Sequence, residues 1–201
     1  MINLYHIDCM EFMANKPDKY YDLAIVDPPY GININANMGL KHGVKKRHIQ
    51  KDWDLSAPDD FYFEELFRVS KNQIIWGGNY FYLPPSYHII SWYKLIPEGM
   101  SFSDFEMAWT SFNKANRIYK ERSSYDGKIH PTQKPVQLYK WLLLNYAKPD
   151  DKILDTHGGS GSICIACHDL GFDLDWCELD AEYFEAAKKR FEIHKAQLTI
   201  F

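Results

Sequence analysis

Short runs of β-branched and aromatic residues alternate along the chain with stretches of helical periodicity, the pattern of an α/β protein on a mostly parallel sheet. The runs NLYHI, YDLAIV, NQIIWG, YHIISWY, EMAWTS, DKILD and DLDWCE read as strands. Between them, FEELFRVS puts Phe63, Leu66, Phe67 and Ser70 on one helical face, and VQLYKWLLLNYA starts behind Pro135, a residue suited to a helix start. SICIACHDLG aligns Ile163, Cys167 and Leu170 and closes on Gly171, a C-terminal cap. A last helix from about Ala181 has Glu182 and Glu185 early and Lys188, Lys189 and Arg190 late, as the helix dipole prefers. The aromatic stretch NYFYLPPSY, Asn79 to Tyr87, reads as core and turn rather than as a stacking surface.

Three loops break the alternation, and in open α/β sheets such loops at the carboxyl ends of strands carry ligands. In LAIVDPPYGI a buried strand stops at Asp27-Pro28-Pro29-Tyr30. The prolines remove two backbone donors and fix φ, which leaves an acid, rigid carbonyls and an aromatic ring. Such a surface accepts hydrogen bonds, suits an amino group with two N–H bonds to give, and offers Tyr30 to a flat ring. In ILDTHGGSGS a strand runs into a glycine turn and a helix, with Glu178 ending the next strand. The third glycine of a dinucleotide fingerprint is absent, since Cys164 stands there, so a nucleoside ligand without a pyrophosphate fits better. In KIHPTQKP, two prolines hold His130 and Lys134 on a short loop before a helix.

With 201 residues, 46% of them hydrophobic, the chain suffices for one well-cored domain spanning 1–201. A formal net charge of −4 argues against a uniformly basic nucleic-acid binder but leaves room for local basic patches. One such patch is Lys41, Lys45, Lys46, Arg47 and Lys51, a run without acids just after the Asp27 loop, read as a mobile phosphate-contacting flap over 33–56. No leader-like or membrane-spanning stretch is seen, and four cysteines lack a disulfide framework, so a cytoplasmic setting is expected. Cys164, Cys167, His168 and Cys177 could be drawn as a zinc site, but helix packing explains the pair better and no metal is expected.

Together, in this order, the stretches LYHIDCMEFM, DLAIVDPPYGI, IIWGGNYF, ISWYK, SDFEMAWTS, IHPTQKPVQL, ILDTHGGSGS and CELD resemble the beta-class amino-methyltransferases, the DNA N6-adenine and N4-cytosine methylases. The resemblance implies a Rossmann-like methyltransferase sheet with one antiparallel strand. The motif order is circularly permuted, with the catalytic tetrapeptide first and the glycine loop near the C-terminus, and the chain should start on an inner strand. It implies S-adenosylmethionine as cofactor, held by Asp8, Cys9, Lys134, Asp155, His157, Gly158, Gly159, Ser160, Gly161, Glu178 and Leu179. Asp8 would take the cofactor's adenine amino group, Glu178 the ribose, and Lys134 would lie near the carboxylate. Asp27, Pro28, Pro29 and Tyr30 match the residues that hold and stack a flipped base.

The implied reaction methylates adenine N6 in double-stranded DNA, with cytosine N4, RNA, or an inactive nucleic-acid-binding relative as alternatives. Asp27 favours adenine, since the cytosine enzymes more often carry serine there. His157 departs from the family's usual Pro-Phe after the acid at 155, and is read as an imidazole stacked in place of a ring. Residues 112–129 are too few for a recognition domain, so Lys114, Arg117 and Lys120, as a ribbon or loop, would share DNA contacts with the flap, and a homodimer could add others.

Overall fold

The computed structural model describes residues 1–32, 54–96, 103–122 and 128–198. The strands are β1 (Ile2–His6), β2 (Tyr21–Val26), β3 (Ser70–Trp76), β4 (Ile89–Tyr93), β5 (Phe105–Thr110), β6 (Arg117–Lys120), β7 (Lys152–Asp155) and β8 (Asp173–Glu178). They form one sheet in the order β1-β8-β7-β2-β3-β5-β4-β6. Only β5 runs against the others among these strands, pairing antiparallel with both β3 and β4.

The expectation of an inner first strand is corrected, because β1 lies at the sheet edge and pairs with β8 alone. Its residues are only partly buried, and Asn3 and His6 suit a position with one open flank. The buried run of β2 takes the inner place between β7 and β3, as a strand covered on both faces must. Leu23 lies opposite Ile153 and Ala24 opposite Leu154, so the loops after β2 and β7 emerge side by side.

Among the described residues, two helices cover one face, α1 (Cys9–Ala14) and α2 (Asp60–Val69), with Phe12, Met13, Tyr62, Phe63 and Leu66 in that core. Three cover the other, α3 (Val136–Tyr146), α4 (Ser162–Leu170) and α5 (Ala181–Leu198), over Trp76, Trp92 and Trp176. Each of these tryptophans is fully buried, and truncating such a side chain typically costs about 3–5 kcal/mol. None of the helices is long and apolar enough to cross a membrane among the described residues.

The aromatic stretch divides instead of forming core. Phe81 and Leu83 pack onto the α1–α2 core, whereas Tyr80 is half exposed and Tyr82 and Tyr87 are 94% and 82% exposed. The basic stretch near 117 is a further correction to the sequence reading. Rather than a free ribbon or loop, Arg117–Lys120 adds a parallel edge strand to β4. Strand alternation then sends Arg117 and Lys120 to opposite faces, with Tyr119 packed on Trp141 on one face and Ile118, 65% exposed, on the other.

Candidate active site

The loops after β2 and β7 meet where the chain's connections diverge to either side of the sheet, the place where open α/β sheets bind ligands. After β2, Asp27 and the two prolines turn the chain outward, and buried Asp54 fixes the turn by accepting from the backbone N–H of Tyr30 at 2.8 Å and of Gly31 at 3.0 Å. The Tyr30 hydroxyl donates to Asp27 Oδ1 at 2.7 Å. Its ring stacks on Tyr80, with centroids 4.9 Å apart and planes 12° from parallel. Gly77, at φ +71°, makes this possible, since a Cβ there would overlap the Tyr30 ring.

The other oxygen of Asp27 pairs with the ammonium of Lys134. Lys134 also reaches Glu106 Oε2 at 3.2 Å, and Glu106 Oε1 accepts from Lys94 at 3.2 Å. Asp27, Lys134, Glu106 and Lys94 thus form an array of alternating charge running from the loop after β2 to the end of β4. Burial raises the Asp27 pKa from its ordinary value, against the pull of Lys134. Burial would depress Lys134, but the two carboxylates outweigh it and hold its pKa above the ordinary lysine value. Glu106 is likewise opposed by burial, and Lys134 and Lys94 bring it below its ordinary value. Sequence reasoning placed Lys134 beside a cofactor carboxylate and missed Glu106, Lys94 and Asp54.

After β7, Asp155 is buried, accepts from the His157 N–H at 3.1 Å, and is pushed up to about 8 by its burial. Burial pushes His157 down to about 4, so the imidazole is neutral at neutral pH. It packs edge-on to Tyr62, with Nδ1 3.0 Å from Thr156 Oγ1. The contact is edge-on, where the sequence reading has a stacked imidazole. Gly158 has no room for a Cβ because the Trp176 indole lies against it. Glu178 closes the turn, Oε2 accepting from Gly159 N–H at 2.7 Å and Oε1 from Asp180 N–H at 2.8 Å. Burial raises the Glu178 pKa, and these donors oppose it. From α5, Arg190 donates to the Ser160 carbonyl at 2.8 Å and to Ser162 Oγ at 3.0 Å, a support that sequence reasoning missed.

Asp8 is exposed and N-caps α1, its Oδ1 accepting from Met10 N–H at 2.8 Å and Glu11 N–H at 3.2 Å. Its neighbour Cys9 is driven up to about 12 by burial, which leaves a neutral thiol. A cavity of about 380 Å³ joins all three loops, lined by Asp8 and Cys9, Asp27 and Pro29, Lys134, His157 to Ser160, and Glu178 and Leu179. His130 and Tyr183 close one side, their rings 4.4 Å apart. Pro28, Tyr30, Asp155 and Gly161 are not in this wall, and Gly161 instead N-caps α4 at φ +67°. A cavity of this size suits a small-molecule ligand. Another cavity, of about 410 Å³ and bounded by Lys71, Pro85 and Trp109, contains none of the candidate catalytic or cofactor-binding residues.

Of the residues proposed to contact DNA, Lys41, Lys45, Lys46, Arg47 and Lys51 lie outside the described residues. Lys114 is tied to the fold, donating to the Asn145 carbonyl at 3.1 Å and lying over the Tyr146 ring at 4.7 Å. Cys164, Cys167 and Cys177 are buried and do not converge with His168 on a metal-ligand geometry among the described residues. His168 instead neighbours Asp169 and His194, and Asp169 also pairs with Lys140 at 2.7 Å, joining α3, α4 and α5. Burial opposes ionisation of Asp169, yet hydrogen bonds from Lys140, His194 and His168 hold it down at about 2.

Residues 92–189 match the N6/N4 methyltransferase family, described as DNA methylase. The chain is 22% identical over 239 aligned positions to the type II methyltransferase M2.MboI of Moraxella bovis, covering 94% of this chain and 87% of that protein. It is 25% identical over 237 positions to the type II methyltransferase M.HinfI of Haemophilus influenzae, covering 91% and 66%. Among solved structures, M1.HpyAVI in complex with SAM superposes with a TM-score of 0.65 at 22% identity, covering 94% of this chain and 100% of that one. The cytosine-N4-specific PvuII DNA methyltransferase gives 0.64 at 14% identity, covering 94% and 86%. Residues 92–189 thus match the DNA methylase family model, and over nearly its whole length the chain shares the fold of solved DNA methyltransferases.

Proposed function

We propose that this protein transfers a methyl group from S-adenosylmethionine to the exocyclic N6 of adenine in double-stranded DNA. The observation that carries this reading is that Asp27 opens onto the same cavity as the Gly158–Ser160 turn and Glu178, so an amino-group acceptor and a nucleoside cradle share one space. The cradle suits the cofactor. Gly158 presents bare backbone because Trp176 forbids a side chain, and Glu178 keeps acceptor capacity toward ribose hydroxyls after binding two N–H groups. Glu178 in the cavity wall offers a carboxylate to a cationic ligand, buried Asp155 outside that wall can ionise when such a ligand binds, and Asp8 can accept from an adenine amino group.

The cofactor, when bound, supplies an electrophilic methyl group. The lone pair of adenine N6 is delocalised into the ring and is a poor nucleophile. By accepting an N–H bond, with the Pro28 carbonyl taking the other, Asp27 favours a pyramidal nitrogen whose lone pair is localised. Positive charge then grows on that nitrogen beside the carboxylate, an interaction stronger in the transition state than in the ground state. Tyr30, held by Tyr80, gives a flipped base a ring to stack on in place of its lost neighbours.

Asp27 also favours adenine over cytosine, where relatives more often carry serine. The basic run Lys41 to Lys51 supplies phosphate contacts in this reading. Incubating the protein with labelled S-adenosylmethionine and duplex DNA, followed by digestion to nucleosides, tests the proposal. Label in N6-methyldeoxyadenosine is expected, and label in N4-methyldeoxycytidine, or none in DNA, would refute it.

A further inference from the structure

The reaction proposed above leaves a difficulty at Asp27. A carboxylate that stabilises a growing positive charge works best when no fixed cation competes for it, yet Lys134 sits on one of its oxygens and the Tyr30 hydroxyl on the other. A permanently engaged Lys134 would cancel part of the field that the amino group should feel. Lys134 cannot escape to water, since its side chain is 1% exposed. Among the described residues its alternative carboxylate is Glu106, already 3.2 Å away.

Resting on that reading of the function, we propose that Glu106 is a positioning residue for Asp27: it takes up the Lys134 ammonium when the target amino group claims the Asp27 carboxylate, and Lys94 sets how strongly. The array supports this in two ways. Glu106 contacts Lys134 and Lys94 through different oxygens, so it holds both cations at once. Its position on β5, a strand anchored between β3 and β4, fixes it while the loop residues adjust. Tightening of the Lys134–Glu106 contact frees Asp27 Oδ2 without exposing or unpairing a buried charge, which would otherwise carry a large penalty.

The groups facing Asp27 are Lys134 before α3, Tyr30 on its own loop, Glu106 on β5, Tyr139 on α3 and Asp155 on β7. Those facing Glu106 are Lys134, Lys94, Lys128, Asp27, Tyr30 and Tyr139. Two substitutions therefore act on Asp27 in opposite directions. Glu106→Gln removes a neighbouring negative charge and leaves Lys134 wholly to Asp27, so Asp27 should ionise at lower pH by about 1 unit. Lys94→Met leaves Glu106 unneutralised, so Asp27 should ionise at higher pH.

Carbon-13 NMR titration of the Asp27 carboxyl in the cofactor-free protein, assigned with Asp27→Asn, reads both shifts without turnover. In DNA methylation, Glu106→Gln should lower kcat about tenfold, move the acid limb of the pH profile the same way, and change the KM for S-adenosylmethionine less than about twofold. A merely structural role for Glu106 predicts no opposed pair of shifts. Unchanged titrations, or shifts of the same sign in both variants, would overturn the proposal. Opposed shifts in a protein that leaves DNA unmethylated would overturn the methylation reading and with it the part of Glu106 in transfer.

Discussion

Lys134 and Asp27 form a buried ion pair although 107 positions separate them in the chain. The pair joins the loop before α3 to the loop after β2, so two motifs that look independent in sequence are one electrostatic unit. Replacing Lys134 with methionine keeps the stem's volume but leaves Asp27 and Glu106 as buried acids with no cation between them. Breaking a buried pair in this way typically costs about 3–5 kcal/mol. Urea unfolding should show a loss of that order for Lys134→Met, and a smaller one for the double variant Lys134→Met with Glu106→Gln, which removes the acid that repels the unpaired Asp27.

Asp155 is expected to make both stability and cofactor binding depend on pH. An unfolded aspartate ionises near pH ~4, whereas folded Asp155 keeps its proton up to about 8. The folded state therefore binds more protons across that window, and this residue's contribution to stability falls as pH rises from ~4 toward 8. A cationic ligand favours the ionised carboxylate, so binding of S-adenosylmethionine should release a proton below pH 8 and tighten as pH approaches it. Calorimetry in two buffers of different ionisation heat would read the released proton, and Asp155→Asn should remove it.

The glycine turn tests packing rather than charge. In Gly158→Ala the new methyl meets the fully buried Trp176 indole, so the turn must shift. Overpacking of this kind costs about 1–3 kcal/mol. Because the turn is also held by Glu178, cofactor affinity should drop with stability, and thermal melts with and without S-adenosylmethionine would separate the two losses.

Much of this was legible in the sequence, and what was not has physical reasons. Apolar runs such as YDLAIV marked strands because burial on both faces demands unbroken hydrophobicity. The helix Cys9–Ala14 was overlooked although its capping signature was present, Asp8 at the N-cap and Glu11 three residues on. β6 went unrecognised because its four residues are mostly exposed and pair with a strand 27 positions away, as Ile90 opposite Arg117 shows. The alternation in Asn79 to Tyr87 hid the outward tyrosines, since Phe81 and Leu83 supply the apolar pattern of a core segment. Glu106 and Lys94 read as ordinary strand charges. Only the fold brings Lys134 between Asp27 and Glu106, and no local spacing announces it.

Affinity for DNA should carry the mark of the basic run. Neutralising Lys45, Lys46 and Arg47 together should weaken binding about equally for all sequences and reduce the log-log salt slope by up to about 3. Neutralising Lys114, which is engaged with Asn145 and Tyr146, should change stability more than the salt slope. Binding isotherms at several salt concentrations distinguish these effects.

The central claim is that the Asp27 carboxylate activates an adenine amino group in the cavity it shares with the cofactor. The most direct measurement is a single-turnover assay of the parent protein and Asp27→Asn, with saturating labelled S-adenosylmethionine and duplex DNA, read as methylated nucleosides alongside calorimetric cofactor binding. The account predicts N6-methylated deoxyadenosine from the parent, a rate reduced on the order of 10²- to 10³-fold in the variant, and cofactor affinity nearly unchanged. Substantial turnover by folded Asp27→Asn, or a parent that methylates cytosine instead, would contradict it.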